Sequence, residues 1–385
     1  MKAFGKILGL LLFVASLALA FYWGKSAADS ENEDVQEAME SDTQETILVR
    51  GDGSYPTVPL EKDTVVLKVV QTRVKSLQKF PTIEEGLEEN MAYMEKMGRQ
   101  AASEGAKPDI LLYHEFPLTG YSSGSRSEKL KFTIQVPGPE TERLGKLAKE
   151  LDSYIIFGSY VSDPDWPDHI LSINTVINRK GEVVKKFWKS RNIKRIFEGI
   201  ELTTTTVEGV RDAYREKYGM DEEFPVLQTE FGNIAVSTVQ WDPFIFAAFA
   251  MKGTEIMLRT ATLFVDTDVM ATANQNKFYS AMANFTLPEE SGYNAGESLI
   301  VGPDGKVLAK HPSKSEDGII EAKIPIAAFR ANRKIPSYSL DIVRPIFDQY
   351  QQEVPMNHLD LAKDELPQTG KEMKVMIDSI SRYLN

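Results

Sequence analysis

From Thr64 to Arg333, runs of β-branched and apolar residues alternate with helix-patterned segments, and no internal linker interrupts them. Strands in such an alternation need helices to cover their outer faces, so the chain is expected to form a single α/β layered domain. The first run, TVVLKVVQTRV from Thr64, reads as a buried strand. Thr82 and Glu85 form a capping box, and Leu87, Met91, Met94 and Met97 then recur at helical spacing until Gly105. Asp109 to His114 predicts a second strand, with Glu115 at its carboxyl end. A helix from Glu140 to Asp152 follows, then strands at Ser153 to Val161 and Ser172 to Asn178. A turn at Arg179-Lys180-Gly181 leads into a strand that Lys189 closes. Beyond a charged, helix-prone insertion around Val210 to Glu223, a strand from Asn233 to Val239 runs into Gln240-Trp241-Asp242. Helices near Phe244 to Lys252 and Met270 to Tyr279 then alternate with strands at Glu255 to Arg259 and around Ala281, Ser298 and Ile319.

The flanks differ from this body. Lys2 and Lys6 precede an uncharged run from Ile7 to Gly24, the pattern of an export signal. Ala18-Leu19-Ala20 offers a cleavage site, whereas Phe21, Tyr22 and Trp23 suit a membrane interface. Residues 1–24 are therefore expected to be either a signal peptide or a retained membrane anchor, and the protein to be extracytoplasmic. Residues 25–62 are acidic and poor in apolar groups and read as a disordered linker, so the folded body is expected over 63–332. Residues 333–385 form a C-terminal extension ending in an amphipathic helix with Met373, Met376, Ile377, Ile380 and Leu384 on one face. An unpartnered stripe of this kind needs a surface to cover, which points to a neighbouring subunit. Leu366-Pro367-Gln368-Thr369-Gly370 is similar to a cell-wall sorting signal, but the residues after it lack the apolar span and basic tail that such a signal requires.

Composition removes several chemistries. With 44 basic against 56 acidic residues and a net charge of -12, the chain is not suited to a nucleic-acid partner, whose affinity comes from phosphate neutralisation. It has no cysteine, which excludes disulfides, thiolate metal sites and a cysteine nucleophile. His114, His169, His311 and His358 are scattered without ligand spacing, and glycine-rich phosphate loops are missing, so no metal and no cofactor are expected. What remains is polar residues at strand ends, where α/β sheets place their sites. A carboxylate such as Glu115 at the lip of a buried strand suits a general base, while Lys189 taken alone reads as a surface lysine.

Order and spacing give these residues more weight. Gln71 in the first strand, Glu115 in YHEFPLTGY, Lys189 after GEVVKKFW, Glu198-Gly199, and NIAVSTVQWD followed by GTEIML together resemble the nitrilase (carbon-nitrogen hydrolase) superfamily, amidase branch. ANQNKFYSAMAN, GESLIVGPDGKVLA and GIIEAKIPI agree further, and DIVRPIFDQY does so more weakly. The resemblance implies a single-domain αββα sandwich that pairs into a homodimer or a larger homo-oligomer.

It also implies roles. In that family a cysteine attacks an amide or nitrile carbon, a glutamate acts as base, a lysine stabilises the tetrahedral intermediate and a second glutamate orients the substrate. Matched motif to motif, Glu115 takes the base position, Lys189 the lysine position, and Glu198 the second glutamate, with Glu201 as its fallback. Gln240 stands where the nucleophile is expected, and a carboxamide is neither ionisable nor a useful nucleophile. Asp242 is followed by PFIFAAFA rather than the family's usual Arg-Phe-Pro-Glu stretch. The leading expectation is a non-catalytic protein whose Gln240 amide bonds to Glu115 and Lys189, with a small amide or carboxylate ligand or an assembly role. The alternative is a hydrolase of small amides that uses Ser237, Thr238 or a water activated by Asp242.

Overall fold

The computed structural model describes residues 49–122, 124–194 and 203–384. The apolar run 7–24, most of the acidic segment, and both Glu198 and Glu201 lie outside them. In chain order the strands are β1 (Val65–Gln71), β2 (Ile110–Leu112), β3 (Tyr154–Asp163), β4 (Trp166–Ile177), β5 (Val183–Trp188) and β6 (Leu227–Thr229). They continue with β7 (Gly232–Ser237), β8 (Ile256–Ala261), β9 (Tyr279–Asn284), β10 (Leu299–Val301), β11 (Val307–Lys310) and β12 (Gly318–Ile324). One sheet has the order β12-β1-β2-β3-β4-β5 and the other β11-β10-β9-β8-β7-β6. Each has a parallel centre, β1-β2-β3 in the first and β7-β8-β9 in the second, with antiparallel strands added outside.

Strand periodicity separates the layers. Val65, Leu67, Val69, Ile110, Leu112 and Ile156 of the first sheet share a core with Ile234, Val236, Ile256, Leu258 and Ala281 of the second. The alternate residues Val70, Leu111 and Ile155 turn to the other face. There they meet Met91, Met94 and Met97 of helix Ile83–Ser103 and Leu144 and Leu147 of helix Pro139–Leu151. Thr82 caps the first of these helices by accepting from the Glu85 amide at 3.1 Å, as its capping-box pattern predicts. Helices Pro243–Met251 and Asp266–Asn276 complete the αββα sandwich on the second sheet. Among the described residues, no helix is long and apolar enough to cross a membrane.

Both edges of the domain differ from expectation. The folded body begins before Asp63: the Tyr55 hydroxyl donates to buried Glu255 at 3.0 Å, and Asn233 Nδ2 and Arg330 Nη1 bind the carbonyls of Pro56 and Val58. These contacts supply the ordering that the polar composition of the segment conceals. At the other end, helix Gly370–Ile380 buries Met373 and Ile377 in the same cluster as Met91 and Leu144. The amphipathic stripe therefore covers its own domain and not a neighbour, and Leu384 falls beyond the helix and is exposed. The Leu366–Gly370 stretch belongs to this packing, with Leu366 buried, the Pro367 carbonyl held by Arg126 Nε at 2.9 Å and the Thr369 side chain capping the helix.

Two buried histidines make the fold acid-sensitive. His114 is pushed down to about 3 by burial, and His169 to about 4 by burial and then by the nearby Arg126 charge. Unfolding returns each imidazole to its ordinary value near 6.5. The unfolded chain then holds the extra protons below that pH, so stability is lost as the pH falls from about 6.5 toward 4. Each histidine contributes a slope of about 1.4 kcal/mol per pH unit within its window. Thermal unfolding is expected at a lower temperature at pH 5 than at pH 7, with a shallower dependence in His114→Asn. An unchanged slope in that variant would contradict the assignment.

Candidate functional site

The carboxyl ends of β2 and β5 in one sheet face those of β7 and β8 in the other, and the chain places its polar strand-end residues in the space between. Glu115 follows β2, and its backbone lies so close to β3 that a Cβ on Gly158 would sit 2.5 Å from the Glu115 carbonyl oxygen. Any larger residue at 158 displaces the glutamate. His114, one residue earlier, accepts from the Phe116 amide through Nδ1 at 3.1 Å and meets the Thr72 hydroxyl through Nε2 at 2.9 Å. The imidazole is thus neutral and pins the turn that carries Glu115.

Glu115 is nearly inaccessible, and among the described residues Lys189, Ser172 and Thr262 reach it. Lys189 Nζ lies 3.6 Å from Oε1, Ser172 Oγ donates to Oε1 at 3.3 Å, and Thr262 Oγ1 donates to Oε2. Lys189 is itself buried, its amide bonded to the Ser172 carbonyl at 3.0 Å as an extension of the β4–β5 pairing. The lysine that reads as a surface residue on its own is the counter-ion of the buried carboxylate. Glu115 and Lys189 therefore meet at one cavity.

Gln240 comes from the second sheet, at the turn between β7 and helix Pro243–Met251. The turn is braced on three sides. Arg259 Nη2 donates to the Val239 carbonyl at 2.6 Å, Arg191 Nη2 to the Gln240 carbonyl at 3.2 Å, and the Trp241 amide to Asp268 Oδ1 at 3.2 Å. Arg259 is fully buried, pairs with Asp268 at 2.6 Å and lies over the rings of Phe246 and Phe264 at 4.4 and 5.0 Å. The brace forces Trp241 into a left-handed backbone with φ of 56°. The Gln240 side chain is only 7% exposed, yet its Oε1 has no hydrogen-bond partner among the described residues. The expected acceptance from Lys189 is not made, because the ammonium is turned toward Glu115 in the opposite sheet.

The three alternative nucleophiles are placed differently. Ser237 Oγ accepts from the Val239 amide at 3.3 Å and does not line the cavity. Asp242 caps helix Pro243–Met251 through the Ile245 amide and pairs with Arg191, so its oxygens are committed. Thr238 does line the cavity, and its hydroxyl is buried without a hydrogen-bond partner among the described residues. Sequence reasoning missed Thr262, Ser172, Arg191 and Arg259. Thr262 carries a readable signal, since it stands one residue beyond the apolar strand β8, where strand-end polar residues gather.

Together these groups enclose a cavity of about 200 Å³ with Glu115, Lys189, Thr238, Gln240 and Thr262 on its wall and Trp241 and Tyr293 among its lining residues. The insertion helix Arg211–Tyr218 is not part of it; Tyr214 packs on Trp188 at 5.1 Å instead. The arrangement offers buried acceptors on Glu115 and Gln240, a cationic donor on Lys189 and a hydroxyl on Thr238, with no thiol.

The carbon-nitrogen hydrolase family matches residues 73–334. An omega-amidase of Xenopus tropicalis is 26% identical over 249 residues, 62% of this chain and 83% of its own length. A probable nitrilase of Schizosaccharomyces pombe is 22% identical over 255 residues, 64% of this chain and 86% of its own. Among solved structures, a double mutant of the amidase from Nesterenkonia sp. in complex with acrylamide has a TM-score of 0.55 at 18% identity, over 76% of this chain and 100% of that one. Other structures of that amidase carry covalent additions at an active-site cysteine, a residue type this sequence lacks.

Proposed function

Because the chain belongs to the carbon-nitrogen hydrolase family and carries glutamine where the nucleophile is expected, we propose that it binds a small primary amide without cleaving it. The observation that carries this reading is the Gln240 carboxamide oxygen, buried without a hydrogen-bond partner among the described residues, on a residue that lines the cavity with Glu115 and Lys189. Leaving such an acceptor unmatched costs about 1–3 kcal/mol, which a ligand N–H recovers. A primary amide is complementary: its NH₂ donates to Glu115 and Gln240, and its carbonyl accepts from Lys189 or Thr238. A carboxylate is not, since it sets a second anion beside Glu115 and leaves the Gln240 oxygen unsatisfied. Calorimetric titration of the full chain with propionamide tests the reading. Binding that Gln240→Leu weakens at least about tenfold, the value of one such hydrogen bond, supports it; no heat at millimolar amide sinks it.

The same proposal covers assembly and location. Helix Pro243–Met251 contains no charged residue, and helix Leu340–Phe347 beside it buries none of its residues, touching it through Phe244 and Phe347 at 4.9 Å. Phe244, Ile342, Ile346 and Tyr350 are left exposed together, a patch suited to a partner surface. Asp341, Arg344 and Asp348 mix both charges along this helix, which is self-complementary across a two-fold axis and poorly suited to an anionic membrane. A second copy of the chain is the occupant we expect, and sedimentation at micromolar concentration checks it, with dimers expected and only monomers contradicting it. Export rests on Lys2, Lys6 and the apolar run that follows; recovery of the protein from the cytoplasmic fraction alone contradicts it.

A further inference from the structure

The mouth of the cavity differs in chemistry from its depth. Glu115, Lys189, Thr238 and Gln240 are all less than a tenth exposed. Trp241 and Tyr293, which line the same cavity, are 53% and 55% exposed. An indole left half in water forgoes the burial of apolar surface that ordinarily stabilises it. Trp241 also holds a left-handed backbone, a conformation that is unfavourable for a non-glycine residue. Neither core packing nor backbone geometry therefore accounts for tryptophan here, whereas display of a flat apolar ring at the cavity entrance does.

The backbone that carries both rings is held in place before any ligand arrives. The Trp241 amide is tied to Asp268, and the carbonyls on either side of the Gln240 side chain's backbone are held by Arg259 and Arg191. Tyr293 sits on a loop whose Asn294 and Gly296 carbonyls both accept from Asn284 Nδ2, at 2.9 and 3.1 Å. A backbone fixed in this way lowers the ordering cost of placing the two rings against a planar group.

We propose that Trp241 and Tyr293 form a stacking subsite for an aromatic or flat apolar substituent on the amide, so that the ligand class is an aryl-substituted primary amide and not a bare short-chain one. This rests on the reading that the cavity floor takes a primary amide.

Calorimetry with propionamide and 3-phenylpropionamide, which share a head group and differ in the ring, tests it. In the unmodified full-length protein, 3-phenylpropionamide is expected to bind at least about tenfold more tightly, with a blue shift of tryptophan emission that propionamide does not cause. The ratio of the two affinities is expected to fall to about one in Trp241→Ala and, as an independent check on an exposed loop, in Tyr293→Ala. Equal affinities in the unmodified protein, or a ratio that survives both substitutions, would overturn the subsite while leaving amide binding standing. Absence of binding by either amide would overturn both. If Trp241→Ala converts dimers to monomers and leaves the ratio unchanged, the ring belongs to the subunit interface and the inference fails.

Discussion

Gln240→Cys is expected to release ammonia from propionamide at least about 100-fold faster than the unmodified protein, whose rate is expected to be at the buffer baseline. The substitution places a thiol at the turn between β7 and helix Pro243–Met251, across the intersheet space from Glu115 and Lys189. Glu115 can take its proton there, and Lys189 is a cationic donor positioned to stabilise charge developing on the substrate oxygen. Shortening the side chain also frees space in a cavity of about 200 Å³. Ammonia release by Gln240→Cys that vanishes on adding Glu115→Gln supports an intact pocket that lacks only its nucleophile. A folded Gln240→Cys that stays silent while binding the amide contradicts this, since it shows that the surrounding groups are not arranged for catalysis. Activity in the unmodified protein would instead direct attention to Thr238 and to Thr262, whose hydroxyl already rests on Glu115.

Arg259→Ala is expected to produce the largest loss of stability among the residues around the cavity. The guanidinium is fully buried, and burial lowers its pKa, with Asp268 opposing that shift. Its Nη2 bridges Asp268 and the Val239 carbonyl, Nε and Nη1 have no hydrogen-bond partner among the described residues, and the guanidinium lies over the Phe246 and Phe264 rings. Removing it strands a carboxylate and a carbonyl in the interior and opens a cavity, at a cost of about 3–5 kcal/mol. For a domain of this size that lowers the unfolding temperature by roughly 4–7 °C. The cost belongs largely to the unpaired Asp268, so Arg259→Met combined with Asp268→Leu is expected to recover most of the stability. The double variant is still expected to bind amide weakly, because it no longer holds Val239 and Trp241 in place. A shift of less than about 2 °C in Arg259→Ala would show that the brace is not structural.

Some of this was legible in the residues and some was not. The capping box at Thr82, the β-branched run from Thr64 and the turn after Asn178 are local signals, and each marks an element that forms where it predicts. β6 was missed because three residues, Leu227–Thr229, carry too short a pattern to register, and its pairing with β7 supplies what the sequence does not display. Helix Met270 to Tyr279 was set too late: it runs Asp266–Asn276, Lys277 turns left-handed, and Tyr279 is already in β9 because pairing with β8 takes those residues into the sheet. For the site, motif order was enough to bring Glu115, Lys189 and Gln240 together. It was not enough to show which groups touch, because Glu115 and Lys189 rise from one sheet and Gln240 from the other. The bond to Lys189 expected of Gln240 failed for that reason. Arg259 was hidden in plain view: within an apolar strand it looks like the strand's last residue, and only its pairing with the partly buried Asp268 explains it.

Proton NMR of propionamide incubated with the full-length protein, following saturation transfer and the amide's own signals over several days, tests amide binding without cleavage most directly. Saturation transfer to propionamide with no propionate appearing is the predicted result. Propionate that accumulates in proportion to the protein would contradict the claim that binding has outlived catalysis, and absence of transfer at every concentration would contradict the claim that the pocket binds an amide at all.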